Sequence, residues 1–405
     1  MKKFRKKRIG WLLVIVFVLV GFSAVPGYVM SVRREAVRNL APTPPMGWNG
    51  WNHFRCSDEV NEQLIRETVD ALVASGMKDV GYSYVVLDDC WQVARDEFGH
   101  IVPDLKKFPG GMRALGDYIH GRGLKFGIYT SAGRTTCEKR SGSFGFERND
   151  VKTYASWGVD YIKVDWCGIE YLDTETQYKK WRKAIEQSGR PMVLSIAIAD
   201  IEKIPHNNVW QWGRGIGHLW RTTVDILDYY PDILRIIDQN SQYARYGGPN
   251  GWNDADMLQV GNGGMTIEEY KTHFSMWAMM ASPLFAGNDV RNMKSDIKDI
   301  LTNKEIIAVN QDILGKQATK IVQVESREVW LKPLYDSRAH AVAVLNRLDD
   351  SAYTVIEWKQ LGLTGKRYLV RDLWKRLDDG IYTDKYEVVI PAHGTVVLLL
   401  KNYDL

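Results

Sequence analysis

The sequence predicts an α/β protein, a (β/α)8 TIM barrel followed by a C-terminal antiparallel β-sandwich. Three observations carry this. Eight short β-rich runs recur at about 30-residue spacing before residue 290, with helix-like amphipathic stretches between them. After about residue 317 the texture changes to short alternating runs, broken by turn residues roughly every 8–12 positions, as antiparallel sandwiches require. The length of 405 residues, 45% hydrophobic and 25% charged, suits one large globular domain and a smaller one.

The β runs of the first part are 46–51, 82–87, 124–129, 161–164, 192–196, 219–221, 251–254 and 283–286. Amphipathic stretches at 58–75, 111–122, 150–157, 174–188 and 267–280 supply the intervening helices. The sandwich runs are 321–325, 328–332, 340–346, 353–357, 368–372, 386–390 and 395–400. The expected organisation is an N-terminal segment over 1–40, a catalytic barrel over 41–316 and a sandwich over 317–405.

The N-terminal segment reads as an address. Lys2, Lys3, Arg5, Lys6, Lys7 and Arg8 precede an apolar run from Ile9 to about Met30, interrupted by Ser23 and Pro26. A basic stretch before an apolar one is an export signal. The run is also long enough to span a bilayer with its charged end in the cytoplasm, so a cleaved signal and an uncleaved anchor both stand. Either places the body outside the cytoplasm.

The net charge of +4 conceals an asymmetry. Residues 1–40 hold nine Lys/Arg against one Glu, a local +8, which leaves −4 on residues 41–405. A mildly acidic body is a poor footprint for nucleic acid, and none is expected as a partner. The four cysteines, Cys56, Cys90, Cys137 and Cys167, have no CxxC spacing, and the eight His form no HxH or HExxH pattern, so neither a metal nor another cofactor is expected. An even cysteine count behind an export signal favours two disulfides over four buried thiols.

Several runs end in acids: 82–87 into Asp88 and Asp89, 161–164 into Asp165, 219–221 toward Asp225, and 251–254 into Asp254 and Asp256. In a β/α barrel the C-terminal strand ends line one mouth, where chemistry is done. A single Asp after a strand is commonly a helix cap. Four such positions together, with abundant Trp and Tyr and no metal pattern, suit glycosidic bond hydrolysis, which needs one carboxylate as nucleophile or base and another as proton donor.

These residues resemble a known family. The stretches Ala41-Pro-Thr-Pro-Pro-Met-Gly-Trp-Asn-Gly-Trp-Asn52, Leu87-Asp-Asp-Cys-Trp91, Phe126-Gly-Ile-Tyr-Thr-Ser-Ala-Gly133, Tyr161-Ile-Lys-Val-Asp-Trp-Cys167, Trp220-Arg-Thr-Thr-Val-Asp225 and Gly251-Trp-Asn-Asp-Ala-Asp-Met257 are similar to signatures of glycoside hydrolase family 27. That is the α-galactosidase and α-N-acetylgalactosaminidase family of clan D. The likeness continues through Ala281-Ser-Pro-Leu-Phe285 and Ala308-Val-Asn-Gln-Asp312 and covers roughly residues 41–403.

The resemblance implies a retaining exo-α-galactosidase acting on galactose-containing oligosaccharides or glycoconjugates, with the membrane met only through the N-terminal segment. It implies Asp165 as nucleophile and Asp225 as general acid/base. Asp88 and Asp89 would bond the sugar's 6- and 4-hydroxyls, Lys163 its 3- and 4-hydroxyls, and Arg221 would lie near the 2-hydroxyl. Trp51 and Tyr129 would form pocket walls, and Asp256 would add a further acid. It also implies the disulfides Cys56–Cys90 and Cys137–Cys167. Lys163 and Asp165, two residues apart on one strand, share a barrel face.

One stretch departs from the family pattern. Where most of these α-galactosidases carry a Cys-Glu-Trp-like run, this chain has Leu194-Ser-Ile-Ala-Ile-Ala-Asp200, with Ala197 at the Glu position and Asp200 at a bulky one. A small residue there admits an acetamide, which keeps α-N-acetylgalactosaminidase as the alternative. Asp200 is the nearest acid in sequence able to partner a buried Arg221 and restore galactose selectivity. β-L-arabinopyranosidase is the weaker alternative, because Asp88 suits a 6-hydroxymethyl that arabinose lacks. A non-catalytic galactose-binding protein would have no need of both Asp165 and Asp225.

Overall fold

The computed structural model describes residues 39–169, 171–198, 207–363, 365 and 367–404. The N-terminal address segment and Asp200 lie outside the described residues. Among the described residues no helix is long and apolar enough to cross a membrane.

All eight β runs of the first part form strands: β1 (Met46–Asn49), β2 (Tyr84–Leu87), β3 (Lys125–Ser131), β4 (Tyr161–Asp165), β5 (Val193–Ala197), β6 (Leu219–Arg221), β7 (Trp252–Asp254) and β8 (Leu284–Ala286). They make one curled, wholly parallel sheet in the order β8-β1-β2-β3-β4-β5-β6-β7. Its ends meet through the loop after β7. The Leu258 N–H donates to the Phe285 carbonyl at 2.7 Å, and the Gly287 N–H donates back to the Leu258 carbonyl at 3.0 Å. The closure is a single bridge.

Helices return the chain between strands. Helix α1 (Glu62–Ala74) starts later than the expected residue 58, because Asn61 caps it by accepting from the Leu64 N–H. Helices α2 (Gly111–Gly121), α3 (Glu147–Trp157) and α4 (Thr174–Ser188) follow, then α5 (Tyr230–Ser241) and α6 (Ile267–Met279), the last opened by a capping box between Thr266 and Glu269. Strand β1 stops at Asn49 rather than 51, and Trp51–Phe54 forms one helical turn.

Side-chain alternation sets the barrel interior. Its lower layer is bulky and apolar, with Tyr84, Tyr161, Trp252 and Phe285 buried together. Gly47 admits this packing, since a Cβ there would fall 2.5 Å from the Tyr84 carbonyl and 2.7 Å from the Phe285 ring. Polar side chains are left the upper, C-terminal end of the strands.

Among the described residues eight strands, not seven, build the C-terminal region: β9 (Thr319–Val324), β10 (Arg327–Pro333), β11 (Ala339–Asn346), β12 (Ala352–Glu357), β13 (Arg367–Asp372), β14 (Leu377–Thr383), β15 (Lys385–Ile390) and β16 (Thr395–Asn402). A six-stranded sheet, β9-β10-β11-β16-β13-β14, pairs with a two-stranded sheet, β12-β15, around Val342, Ile356, Trp358, Ile390 and Leu398. Sequence patterning misses β14. It is an edge strand with mostly exposed side chains, so backbone pairing to β13 places it rather than alternation. On the other face Trp330, Ala341, Ala343 and Val397 join the barrel's core. Thr272 of α6 donates from Oγ1 to the His393 carbonyl at 2.7 Å across the junction.

Candidate active site

A cleft of about 210 Å³ opens at the C-terminal ends of the barrel strands. All nine candidate catalytic and binding residues line it: Trp51, Asp88, Asp89, Tyr129, Lys163, Asp165, Arg221, Asp225 and Asp256. Residues as far apart in sequence as Trp51 and Asp256 converge because each lies in the C-terminal part of a parallel strand of one sheet or follows it.

Asp165 ends β4, with Tyr161 and Lys163 on the same face. Its Oδ2 accepts from the Tyr129 hydroxyl at 2.9 Å and its Oδ1 from the Trp166 N–H at 2.8 Å. Burial pushes its carboxyl up to about 6, against the pull of nearby Lys163 and these donors. Tyr129 is itself held well above the usual phenol value by burial and by Asp165, so it stays a donor.

Lys163 donates to Asp88 Oδ2 at 2.8 Å, and Asn49 donates to the same oxygen at 2.6 Å. Burial disfavours the ammonium, but Asp88, Asp165 and Asp256 together raise its pKa above the ordinary value. Asp89 accepts from the Cys90 N–H at 2.7 Å and the Glu138 N–H at 3.2 Å; burial nonetheless leaves its carboxyl raised.

Arg221 ends β6 and is buried. It meets Asp256 at 3.1 Å and Asp225 at 3.2 Å, so its counter-charges come from these acids. Asp225 has a largely exposed side chain, 75% accessible, at the cleft mouth. What desolvation it suffers raises its pKa, but Arg221 and Lys163 outweigh that and leave the carboxyl below its usual value. Asp256 is fixed by the Ile226 N–H on Oδ2 at 2.9 Å and the Met257 N–H on Oδ1 at 2.8 Å.

The structure pairs Cys56 with Cys90 and Cys137 with Cys167. The first bridge ties the turn after Trp51 to the Asp88–Asp89 loop. The second ties the loop after β3 to the segment beyond Asp165. There the backbone approach is so close that a Cβ on Gly133 would lie 1.7 Å from the Cys167 carbonyl.

Sequence reasoning assigned no role to three lining or supporting groups, Asn49, Met257 and Arg55, and none beyond a strand end to Asp254. Asn49 orients Asp88 from the end of β1, a polar residue closing an apolar strand in the same way as the acids. Asp254, beneath the cleft, is lifted to about 6 by burial in spite of Arg221. Met257 and Arg55 line the cleft without a motif signal of their own. Ala197 lies in register with Asp165 on the adjoining strand and also lines the cleft.

Residues 43–312 match the family model described as Alpha galactosidase A, and residues 324–400 match Alpha galactosidase C-terminal beta sandwich domain. The chain is 43% identical over 409 residues to Alpha-galactosidase A of Cellvibrio japonicus, covering 94% of this chain and 98% of that protein. It superimposes on alpha-galactosidase I of Mortierella vinacea with a TM-score of 0.85 and 36% identity, over 90% of this chain and 98% of the other. The Saccharomyces cerevisiae alpha-galactosidase solved with raffinose gives 0.82 and 28%, over 91% and 99%.

Proposed function

The chain belongs to the α-galactosidase family, glycoside hydrolase family 27, and from that membership we propose that it is a retaining exo-α-galactosidase releasing terminal α-D-galactosyl residues by double displacement. The single observation that carries the residue roles is the setting of Asp165, half-buried at a strand end, held by Tyr129 and Trp166, and facing the same cleft as exposed Asp225.

In the first step an Asp165 oxygen attacks the anomeric carbon from the face opposite the leaving group. The glycosidic C–O bond breaks, and its oxygen takes the proton of Asp225. The positive charge at the anomeric carbon in the transition state is stabilised by the fixed carboxylate. Esterification removes the Asp165 charge, which lowers the pKa of Asp225 just as it must become a base. In the second step Asp225 takes a proton from water, whose oxygen displaces Asp165 and gives galactose with its configuration retained.

Asp88, Asp89 and Lys163 hold the 6-, 4- and 3-hydroxyls, Arg221 lies toward the 2-position with Asp256, a further pocket acid, paired to it, and Trp51 and Tyr129 form walls. The part-buried pairing of Lys163 with Asp88 supports this, because a sugar hydroxyl there meets charged partners already largely shielded from water. The second reading, α-N-acetylgalactosaminidase, is favoured by one observation: small Ala197 beside Asp165 leaves room at the 2-position. Two disulfides and the basic-then-apolar segment support an enzyme working outside the cytoplasm, released or held at the membrane by residues 9–30.

A panel of aryl α-galactoside, α-N-acetylgalactosaminide and β-L-arabinopyranoside tests the reading, with the galactoside expected to be cleaved fastest. Asp165→Asn should abolish turnover and keep galactose binding. Asp225→Asn should slow natural substrates more than activated aryl ones, since a good leaving group needs little protonation. An NMR time course in which β-galactose appears first overturns retention.

A further inference from the structure

Arg55 occupies a place in the cleft that the chemistry above leaves unused. It follows the helical turn Trp51–Phe54 with φ 52° and ψ −140°, a backbone conformation that a side chain disfavours and glycine adopts freely. Its side chain is exposed and lines the same cleft as Trp51, Asp165 and Asp225. The guanidinium carbon stands 5.6 Å from the centroid of the Trp51 ring. Among the described residues no carboxylate or carbonyl pairs with it, in contrast to Arg221, which has two acids. The Cys56–Cys90 bridge, on the very next residue, staples it to the Asp88–Asp89 loop.

Its position relative to Asp225 decides what it faces. The proton donor must reach the glycosidic oxygen, so the space outward from Asp225 belongs to the leaving group. The groups assigned to the galactose ring, Asp88, Asp89 and Arg221, are buried, whereas Arg55, Asp225 and Leu227 are exposed at the rim. The Arg55 charge reaches Asp225 across that space.

Resting on the galactosidase reading, we propose that Arg55 is a specificity-determining residue for the leaving group, receiving a carboxylate or sulfate carried by the sugar next to the terminal galactose. A planar guanidinium within 5.6 Å of the Trp51 ring centroid, with no carboxylate at salt-bridge distance among the described residues, matches such an anion with two parallel N–H donors. Residues held in disfavoured backbone conformations cluster at functional sites, and this one sits beside a disulfide at the mouth.

The test uses minimal pairs: an α-galactosyl uronic acid disaccharide against its analogue with the carboxylate reduced to the alcohol, and a sulfated disaccharide against its unsulfated form. The readout is the ratio of kcat/KM within each pair. For the native chain it should exceed about tenfold in at least one pair, and which pair does so identifies the anion. Arg55→Gly and Arg55→Gln should bring that ratio near one, chiefly through KM, while Arg55→Lys retains part of it. A rise in Tm for Arg55→Gly shows that variant to be folded with its backbone strain relieved. A ratio within twofold of one in both pairs for the native chain, or a ratio unchanged in both Arg55→Gly and Arg55→Gln, overturns the assignment. Failure of the native chain on aryl α-galactoside as well overturns the galactosidase reading beneath it.

Discussion

The Tyr129 hydroxyl donates to Asp165 Oδ2 at 2.9 Å across adjoining strands β3 and β4, which are in register at Tyr129–Lys163 and Ser131–Asp165. The bond favours the ionised carboxylate that burial opposes.

Removing that donor should therefore weaken the proposed nucleophile. Tyr129→Phe leaves a half-buried carboxylate one partner short, a loss of about 1.5–3 kcal/mol for a hydrogen bond to a charged group. We expect kcat to fall by about 10–100-fold and the Asp165 pKa to rise further. Kinetics across pH measure both; an unchanged profile removes Tyr129 from the mechanism.

The free cleft also sets a pH optimum. Burial lifts Asp165 to about 6, while Arg221 and Lys163 overcome desolvation to hold Asp225 below its ordinary value. These shifts place the pair's one proton mainly on Asp165 in the free cleft, so the reactive form is the minor tautomer with that proton on Asp225, and kcat/KM should fall as pH rises through about 6, where the pair loses the proton altogether. It should fall again in strong acid as both become protonated. A profile flat to pH 8 contradicts this ordering.

Asp254 offers a stability test at a position with no proposed contact to the sugar. Its carboxyl is raised to about 6 in the fold, so its stabilising contribution is complete below the unfolded value near 3.8 and is lost as pH rises through about 6. Asp254→Asn mimics the neutral form and keeps an oxygen for the Asp256 N–H. The Tm difference between pH 4.5 and pH 7.5 should narrow in this variant; an equal or wider gap refutes the sign.

The bridge Cys137–Cys167 closes a sequence separation of 30 residues, and chain-entropy reasoning gives it about 3–4 kcal/mol. Cys137→Ser with Cys167→Ser should lower Tm and slow turnover together, because Cys137 lines the cleft and Cys167 lies two residues beyond Asp165. Thermal melts and aryl galactoside kinetics on the same preparation check the coupling. Loss of stability with kinetics intact would confine the bridge to the fold.

What the sequence by itself determined were the features with a local period or a local motif. Apolar runs at about 30-residue spacing marked all eight barrel strands, and acids at or after their ends marked Asp88, Asp89, Asp165, Asp225 and Asp256; the family resemblance, not the pattern, pointed to Trp51, Tyr129, Lys163 and Arg221, which share the same cleft. Alternation failed at β14, whose exposed side chains carry no burial signal, and at the 92–95 and 101–103 hairpin, which packs outside the sheet. Only the tertiary structure decided the pairings: Asn49 and Lys163 on Asp88, Asp256 and Asp225 on Arg221, Tyr129 on Asp165, and Leu258 closing the barrel on β8. It likewise decided that Asp165 titrates near 6 and Asp225 lower, and that Arg55 is strained at the mouth. The physical reason is one of range. Periodicity reports which face of an element is buried, whereas hydrogen bonds and charge interactions depend on distances between elements dozens of residues apart, which exist only once the sheet has curled.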